Sequence, residues 1–447
     1  MDLARACVAL GLCAVVGAGC GLGLAGLGPA TLGSRDGGAD AAGADVTLDA
    51  EDAGEPQEAA PAEAASGDSS VVTITTVGAV TQPTGLAQET HLVWANHSAR
   101  WWLFWVDAGQ PGQLQATSSP DFVTWTDATP LALPASHAEQ GGNFSVAYAD
   151  LGGQDVVHIT LDLQYPDPYD QRHFHARATL AGAAILYGPP AQLTMVTNPA
   201  LTPPDGPATV VTADGHVFDA TGLTTVADGG SEVAWGSTGT DMGTSWDGHF
   251  GPPQTVATAP YPVSARAFAS FGTGLGAGLL ALWELADEED PTNVAWSSYG
   301  VLGWGAPANL FPPDAQSAND WDVAVVAAND VRVVRRSLDG TFDHVRYDGN
   351  SWTTLVAPPQ DPGLAGSGVV LLTSGSHVAV VAIAGDAASS VRMIVWDGSA
   401  WGAWSTLEGS PATRRYLSAW SSPGHAAVLW TQSSSLALDI AGETVSF

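Results

Sequence analysis

From about residue 71 onward the chain alternates short apolar runs with clusters of turn-forming residues. HLVWAN, DVVHITLDL, DVAVVAA, DVRVVRR and HVAVVAIAG are runs rich in β-branched residues, bounded by Gly, Asp, Asn or Pro. That pattern predicts strands and no long amphipathic helix. Seven pairs of such runs lie around tight turns, at about 90–106, 144–162, 208–220, 265–284, 321–336, 368–384 and 416–432. The turns carry Asn96, Gly152-Gly153, Asp214-Gly215, Gly272-Thr273-Gly274, Asn329-Asp330, Gly375 and Pro423-Gly424, residues suited to reversing a hairpin.

A second landmark recurs between the hairpins. An aromatic residue leads a short segment at Tyr187 in YGPPAQL, Phe250 in FGPPQTV, Trp304 in WGAPANL and Trp401 in WGAWSTL, with looser copies at Trp125 and Trp352. From Trp125 onward these positions are spaced by 62, 63, 54, 48 and 49 residues. Two inner strands, a third, and an outer strand led by the aromatic make a unit of about fifty residues, the period of a β-propeller blade. Seven hairpins predict an all-β, seven-bladed β-propeller of four-stranded antiparallel blades over 71–447. The last hairpin has no clear outer strand of its own. The run VVTITTVGAV (71–80) is expected to pair into that blade and close the ring, which removes two open sheet edges. Trp125, Trp304, Trp352 and Trp401 are expected to pack between blades. The Asp348-Gly349 and Asp397-Gly398 pairs are expected to turn the chain between third and fourth strands.

The front of the chain has another character. In MDLARACVALGLCAVVGAGC, Arg5 precedes an apolar run from Cys7 to Ala18 that is too short to span a bilayer stably and suits an export signal. The run ends in Gly17-Ala18-Gly19-Cys20, which resembles the bacterial lipobox, with Gly17 where Leu is usual. That resemblance implies a signal peptide over 1–19, a lipid on Cys20 and, with Gly21 following, an outer-membrane or cell-surface location; an ordinary secretory signal would also export the chain. Residues 36–68 hold ten acids among Ala, Gly, Pro and Ser and no aromatic residue, so 20–70 is expected to be a disordered acidic tether.

Charge and cysteine content narrow the function. Forty-six acids face thirteen basic residues, all of them Arg, for a net charge of −33. That excludes a basic face for nucleic acid or anionic lipid, and leaves the membrane to the lipid on Cys20 alone. The three cysteines are Cys7, Cys13 and Cys20, so neither disulfides nor cysteine-held zinc support the body of the protein.

The stretch SSPDFVTW (118–125) resembles the Asp-box of sialidase-like propellers through Ser119, Asp121, Thr124 and Trp125, although the Gly is missing and the spacing is one residue short. It is also similar to a run seen in five-bladed glycosidases. HVRYDGNSWTTL (344–355) and VRMIVWDGSAWGAW (391–404) resemble the blades of Trp-rich, lectin-type propellers. The lectin resemblance implies sugar binding between blades, for which Trp101 and Trp105 are the candidate exposed aromatics. The sialidase resemblance implies three arginines around one carboxylate and a Tyr nucleophile, here Arg266, Arg336, Arg415 and Tyr416. No nucleophile elbow, P-loop or zinc-protease helix is present.

One further cluster, YPDPYDQRHFHAR (165–177), places His173 and His175 two apart, on one face of a strand. With Asp170 they form a set that could hold zinc or copper; the alternative is a polar outer face beside a solvated loop. The acidic run DEED (287–290) lacks EF-hand spacing and is read as solvated charge. The expectation is a monomeric exported lipoprotein, without a cofactor, that binds an extracellular carbohydrate or protein. A sialidase-like glycoside hydrolase is the alternative.

Overall fold

The computed structural model describes residues 71–447 apart from 78–89, 107–112, 133–142, 165–170, 189–190, 197–204, 213, 225–230, 242–253, 260–262, 272–277, 286–292, 301–302, 312–319, 338–339, 361–367, 386–388 and 435–436. The expected signal peptide, Cys20, the acidic tether, Asp170 and the DEED run lie outside the described residues.

The protein is a β-propeller of four-stranded antiparallel blades. Among the described residues the strands form seven sheets, and six of these are contiguous in the chain. Their innermost strands are Leu92–Ala95, Phe144–Leu151, Asp205–Val211, Val263–Ser270, Trp321–Ala327 and Val369–Ser374, which begin sheets 1 to 6. The remaining sheet 7 is composite. Thr413–Ser422, His425–Ser434 and Ala437–Thr444 supply its inner three strands, and Val72–Val77 pairs antiparallel with Ala437–Thr444 as the fourth. The early run therefore covers an edge that would otherwise be open. Each hairpin read from the sequence supplies the first two strands of one sheet. The innermost strands touch in order from sheet 1 to sheet 7, and that of sheet 7 touches that of sheet 1.

The strand alternation explains the packing. In Arg100–Val106, the side chains of Trp102, Phe104 and Val106 enter the core between sheets 1 and 2. Trp101, Leu103 and Trp105 enter the core shared with Leu429 and Ile440 of sheet 7. Both faces of the strand are covered by neighbouring blades, so its alternation is apolar on each side. The landmark aromatics sit at these seams as expected. Trp304 packs on the cluster between sheets 3 and 4, Trp352 on that between 4 and 5, Trp401 on that between 5 and 6, and Trp125 on that between 7 and 1. The indole N–H groups of Trp401 and Trp404 also donate across a seam, to the carbonyls of Val356 and Pro359, both at 2.8 Å.

The turn between third and fourth strands is a small structural repeat. Asp348 accepts from the backbone N–H of Asn350 and Ser351, and Asp397 from those of Ser399 and Ala400. Asp121 does the same with Val123 and Thr124 and also accepts from the hydroxyl of Ser119. These bonds, led by the Thr124 N–H, hold the Asp121 carboxyl down at about 2. At Gly349 the backbone has φ +97°, and a Cβ there would lie 2.8 Å from Asn329 Oδ1, so only glycine fits.

Candidate functional site

The ring of innermost strands encloses an axial cavity of about 310 Å³. Ser or Thr residues line it from five of the blades: Thr90, just before the first strand of sheet 1, with Ser145, Thr209, Thr373 and Ser421; the Thr209 hydroxyl donates to the Phe218 carbonyl, and those of Thr373 and Ser421 are bonded to each other. Ala267 and Val323 bring the remaining two sheets to the same wall, so all seven contribute. Trp420, half-buried and packed against the apolar clusters on both sides of sheet 1, also lines the cavity. Among the described residues of the wall Asp322 is the single ionisable one.

Asp322 also ties two blades together. Its Oδ2 accepts from the Leu371 N–H of sheet 6 at 2.7 Å and its Oδ1 from the Val323 N–H at 2.7 Å. Burial nevertheless dominates and pushes its carboxyl up to about 8, although both N–H bonds favour the anion. Asp320 makes a matching link, accepting from the Gly368 N–H at 2.7 Å. Across the next seam the Thr373 N–H donates to Ser421 Oγ at 2.9 Å, and the His91 N–H donates to Ser418 Oγ at 3.3 Å where sheet 1 meets sheet 7.

A second feature lies away from the axis, at the seam of sheets 2 and 3. The other seams are walled by large apolar clusters; the described apolar cluster here consists of Ala149, Leu151 and Val156, with Val211 against it. On Gln154–Gln164, one face presents Val157, Ile159 and Leu161 to sheet 1, and the other carries His158, Thr160 and Asp162, all buried. His173 lies between two carboxylates, with Nδ1 2.5 Å from Asp162 Oδ1 and Nε2 3.1 Å from Asp219 Oδ1 of sheet 3. Burial opposes its charge, but Asp219 and Asp162 outweigh burial and raise it to about 10, so it is an imidazolium donating to both. His158 Nε2 is 3.0 Å from Asp241 Oδ2, and its Nδ1 is 3.1 Å from His175 Nε2. Arg177 Nε donates to the same Asp241 oxygen at 2.6 Å. Burial lowers His158, and burial together with the charge of the neighbouring His173 imidazolium lowers His175 well below its ordinary value, so both are neutral.

These placements change several expectations. Trp101 and Trp105 are each 3 % exposed and serve as core between sheets 1 and 7, because neighbouring blades cover both faces of their strand. They are not exposed ligand platforms. His173 and His175 are neither a metal pair nor a solvated outer face. They sit in a buried ion network, and among the described residues no group of three or more His, Cys, Asp or Glu is arranged to hold a metal. Arg336 is buried and faces Asp320 at 3.9 Å, whereas Arg415 is exposed. Neither lines the axial cavity, and the side chain of Arg266 lies outside the described residues. Tyr416 follows Arg415 with a left-handed backbone, φ 54°. The described residues thus do not assemble the three-arginine constellation at the axis. Asp322 and the hydroxyl wall carried no sequence motif; their signal was the repeated start of each hairpin.

No protein-family model and no curated protein matches the chain. Among solved structures it is similar to the BP39L lectin from Burkholderia pseudomallei, with 15% identity, 80% of this chain and 96% of that chain covered, and a TM-score of 0.53. That likeness shows the fold. A sialidase from Trypanosoma rangeli matches at 11% identity over 71% of this chain and 55% of its own, with a TM-score of 0.41. The fucose-specific lectin from Aleuria aurantia matches at 11% identity over 68% and 95%, with a TM-score of 0.38. Both likenesses are too loose to argue from.

Proposed function

We propose that the protein is an exported binding protein whose seven sheets form one closed seven-bladed ring, and that the ring takes a saccharide in its axial cavity. The observation that carries this reading is the cavity wall, where Ser and Thr residues of five blades, Asp322 and Trp420 meet around about 310 Å³. Concave sites of this size with a few fixed polar groups and an aromatic wall suit a small polar ligand. Hydroxyls that donate and accept match a polyol, and an indole face packs against the C–H face of a sugar ring. The sugar-binding lectin of similar fold supports the ligand class. A protein partner on the outer faces is the second element of the reading, since the chain's net charge of −33 favours basic partners.

Export and anchoring belong to the same proposal. Cleavage before Cys20, with lipid on that residue, places the ring at the outer membrane or cell surface behind an acidic tether over 20–70. The reading involves no reaction. The test is a glycan array probed with the full-length protein, beside a fluorogenic sialoside assay on the same preparation. Glycan binding without turnover is the expected result. Turnover of the sialoside would replace the reading with the hydrolase alternative.

A further inference from the structure

We propose that the axial cavity selects saccharides bearing a protonated amine, seated against the carboxylate of Asp322, over neutral saccharides of the same shape. This rests on the reading of the cavity as the saccharide site. Three observations support it. Asp322 is the one ionisable residue on the described cavity wall, so among the described residues there no cationic side chain balances its charge. The carboxyl lies at the seam of sheets 5 and 6, fixed by the N–H groups of Val323 and Leu371, so it is preorganised rather than free to swing into water. The whole chain carries 46 acids against 13 arginines, which draws cations toward the ring.

Binding and protonation are linked. Without ligand, the buried carboxyl holds its proton up to about pH 8. An ammonium group binds the anion, so seating it expels that proton below pH 8. Affinity for the amine then falls about tenfold for each pH unit below 8 and levels off above it, as long as the amine stays charged. A neutral sugar has no such dependence. An acidic sugar finds no cationic side chain on the described wall, and above pH 8 it meets a carboxylate of its own sign, so the cavity does not favour it.

The experiment is isothermal titration of the full-length protein with 6-amino-6-deoxy glycosides of glucose, galactose and mannose, each beside its parent glycoside, from pH 6 to 8.5. The expected result is a preference of at least about tenfold for an amino glycoside at pH 8.5. That preference should shrink as pH falls below 8, with release of a proton at pH 7 visible as a dependence of the heat on buffer ionisation. In Asp322→Asn the preference should disappear. Circular dichroism is the check that this variant is folded, and the proton release in wild type tests the inference independently of it. Equal binding of parent and amino glycosides would overturn the selection by Asp322 and leave the saccharide site standing. Binding of neither series would overturn both.

Discussion

The seam between sheets 2 and 3 makes a strong quantitative prediction. His173→Gln removes the cation from between Asp162 and Asp219 and leaves two buried carboxylates facing an uncharged amide. Breaking a buried ion pair by deleting one partner costs about 3–5 kcal/mol, since the survivor keeps its desolvation penalty. Unfolding entropy near 2.1 cal/mol/K per residue gives about 0.8 kcal/mol/K for a ring of about 380 residues, so the melting temperature should fall by about 4–6 °C. Adding Asp162→Asn to His173→Gln should recover part of the loss. The pH dependence has a definite sign. A folded pKa of about 10, above the ordinary 6.5, gives stability that is fully present below pH 6.5 and is lost as pH rises through 10. The gap between wild type and His173→Gln should therefore narrow from pH 6.5 to 10. The assay is differential scanning calorimetry across that range. A His173→Gln protein melting within one degree of wild type at pH 6.5, or a gap that widens with pH, would refute the assignment of His173 as a structural cation.

Other consequences follow from the same geometry. His158 and His175 are held neutral, so their contribution is present above pH 6.5 and is lost as pH falls below it; hydrogen exchange should show strands 154–164 and 171–181 losing protection in acid before the apolar seams do. Gly442→Ala would place a Cβ 2.7 Å from both Leu429 Cδ2 and the Val428 carbonyl, a clash worth about 1–3 kcal/mol that chemical denaturation would detect. Trp101→Ala should cost about 3–5 kcal/mol of stability through its cavity, measured by the same denaturation, while leaving affinity per folded molecule unchanged on a glycan array.

The sequence displayed the architecture better than the site, and particular residues show why. Hairpin turns and landmark tryptophans repeat every fifty residues or so, and repetition makes weak local signals additive; Trp304, Trp352 and Trp401 could be placed at seams for that reason. The same logic failed at Trp101 and Trp105. A propeller strand is covered on both faces, so an aromatic on either face is buried, and periodicity does not separate a ligand platform from core. At His158, Thr160 and Asp162 the alternation of polar and apolar residues matched a strand with one wet face, yet sheet 3 covers that face. Polarity reports hydrogen bonding as readily as solvent, and the partners Asp219 and Asp241 lie 46 and 83 residues away along the chain from His173 and His158. The axial wall was hidden for a related reason. It is made of single hydroxyls and one carboxyl contributed by separate blades, and no local motif records their convergence.

The central claim, a ligand held on the propeller axis, is tested most directly by filling the cavity. Thr373→Phe adds a ring at a residue of the cavity wall and changes none of the seam aromatics. Binding to whichever glycan the wild-type protein captures would be measured by titration for wild type, Thr373→Phe and, as a seam control, Trp401→Phe. The account predicts loss of binding in Thr373→Phe and retention in Trp401→Phe. Undiminished binding by a folded Thr373→Phe protein would contradict it and move the site to the outer seams.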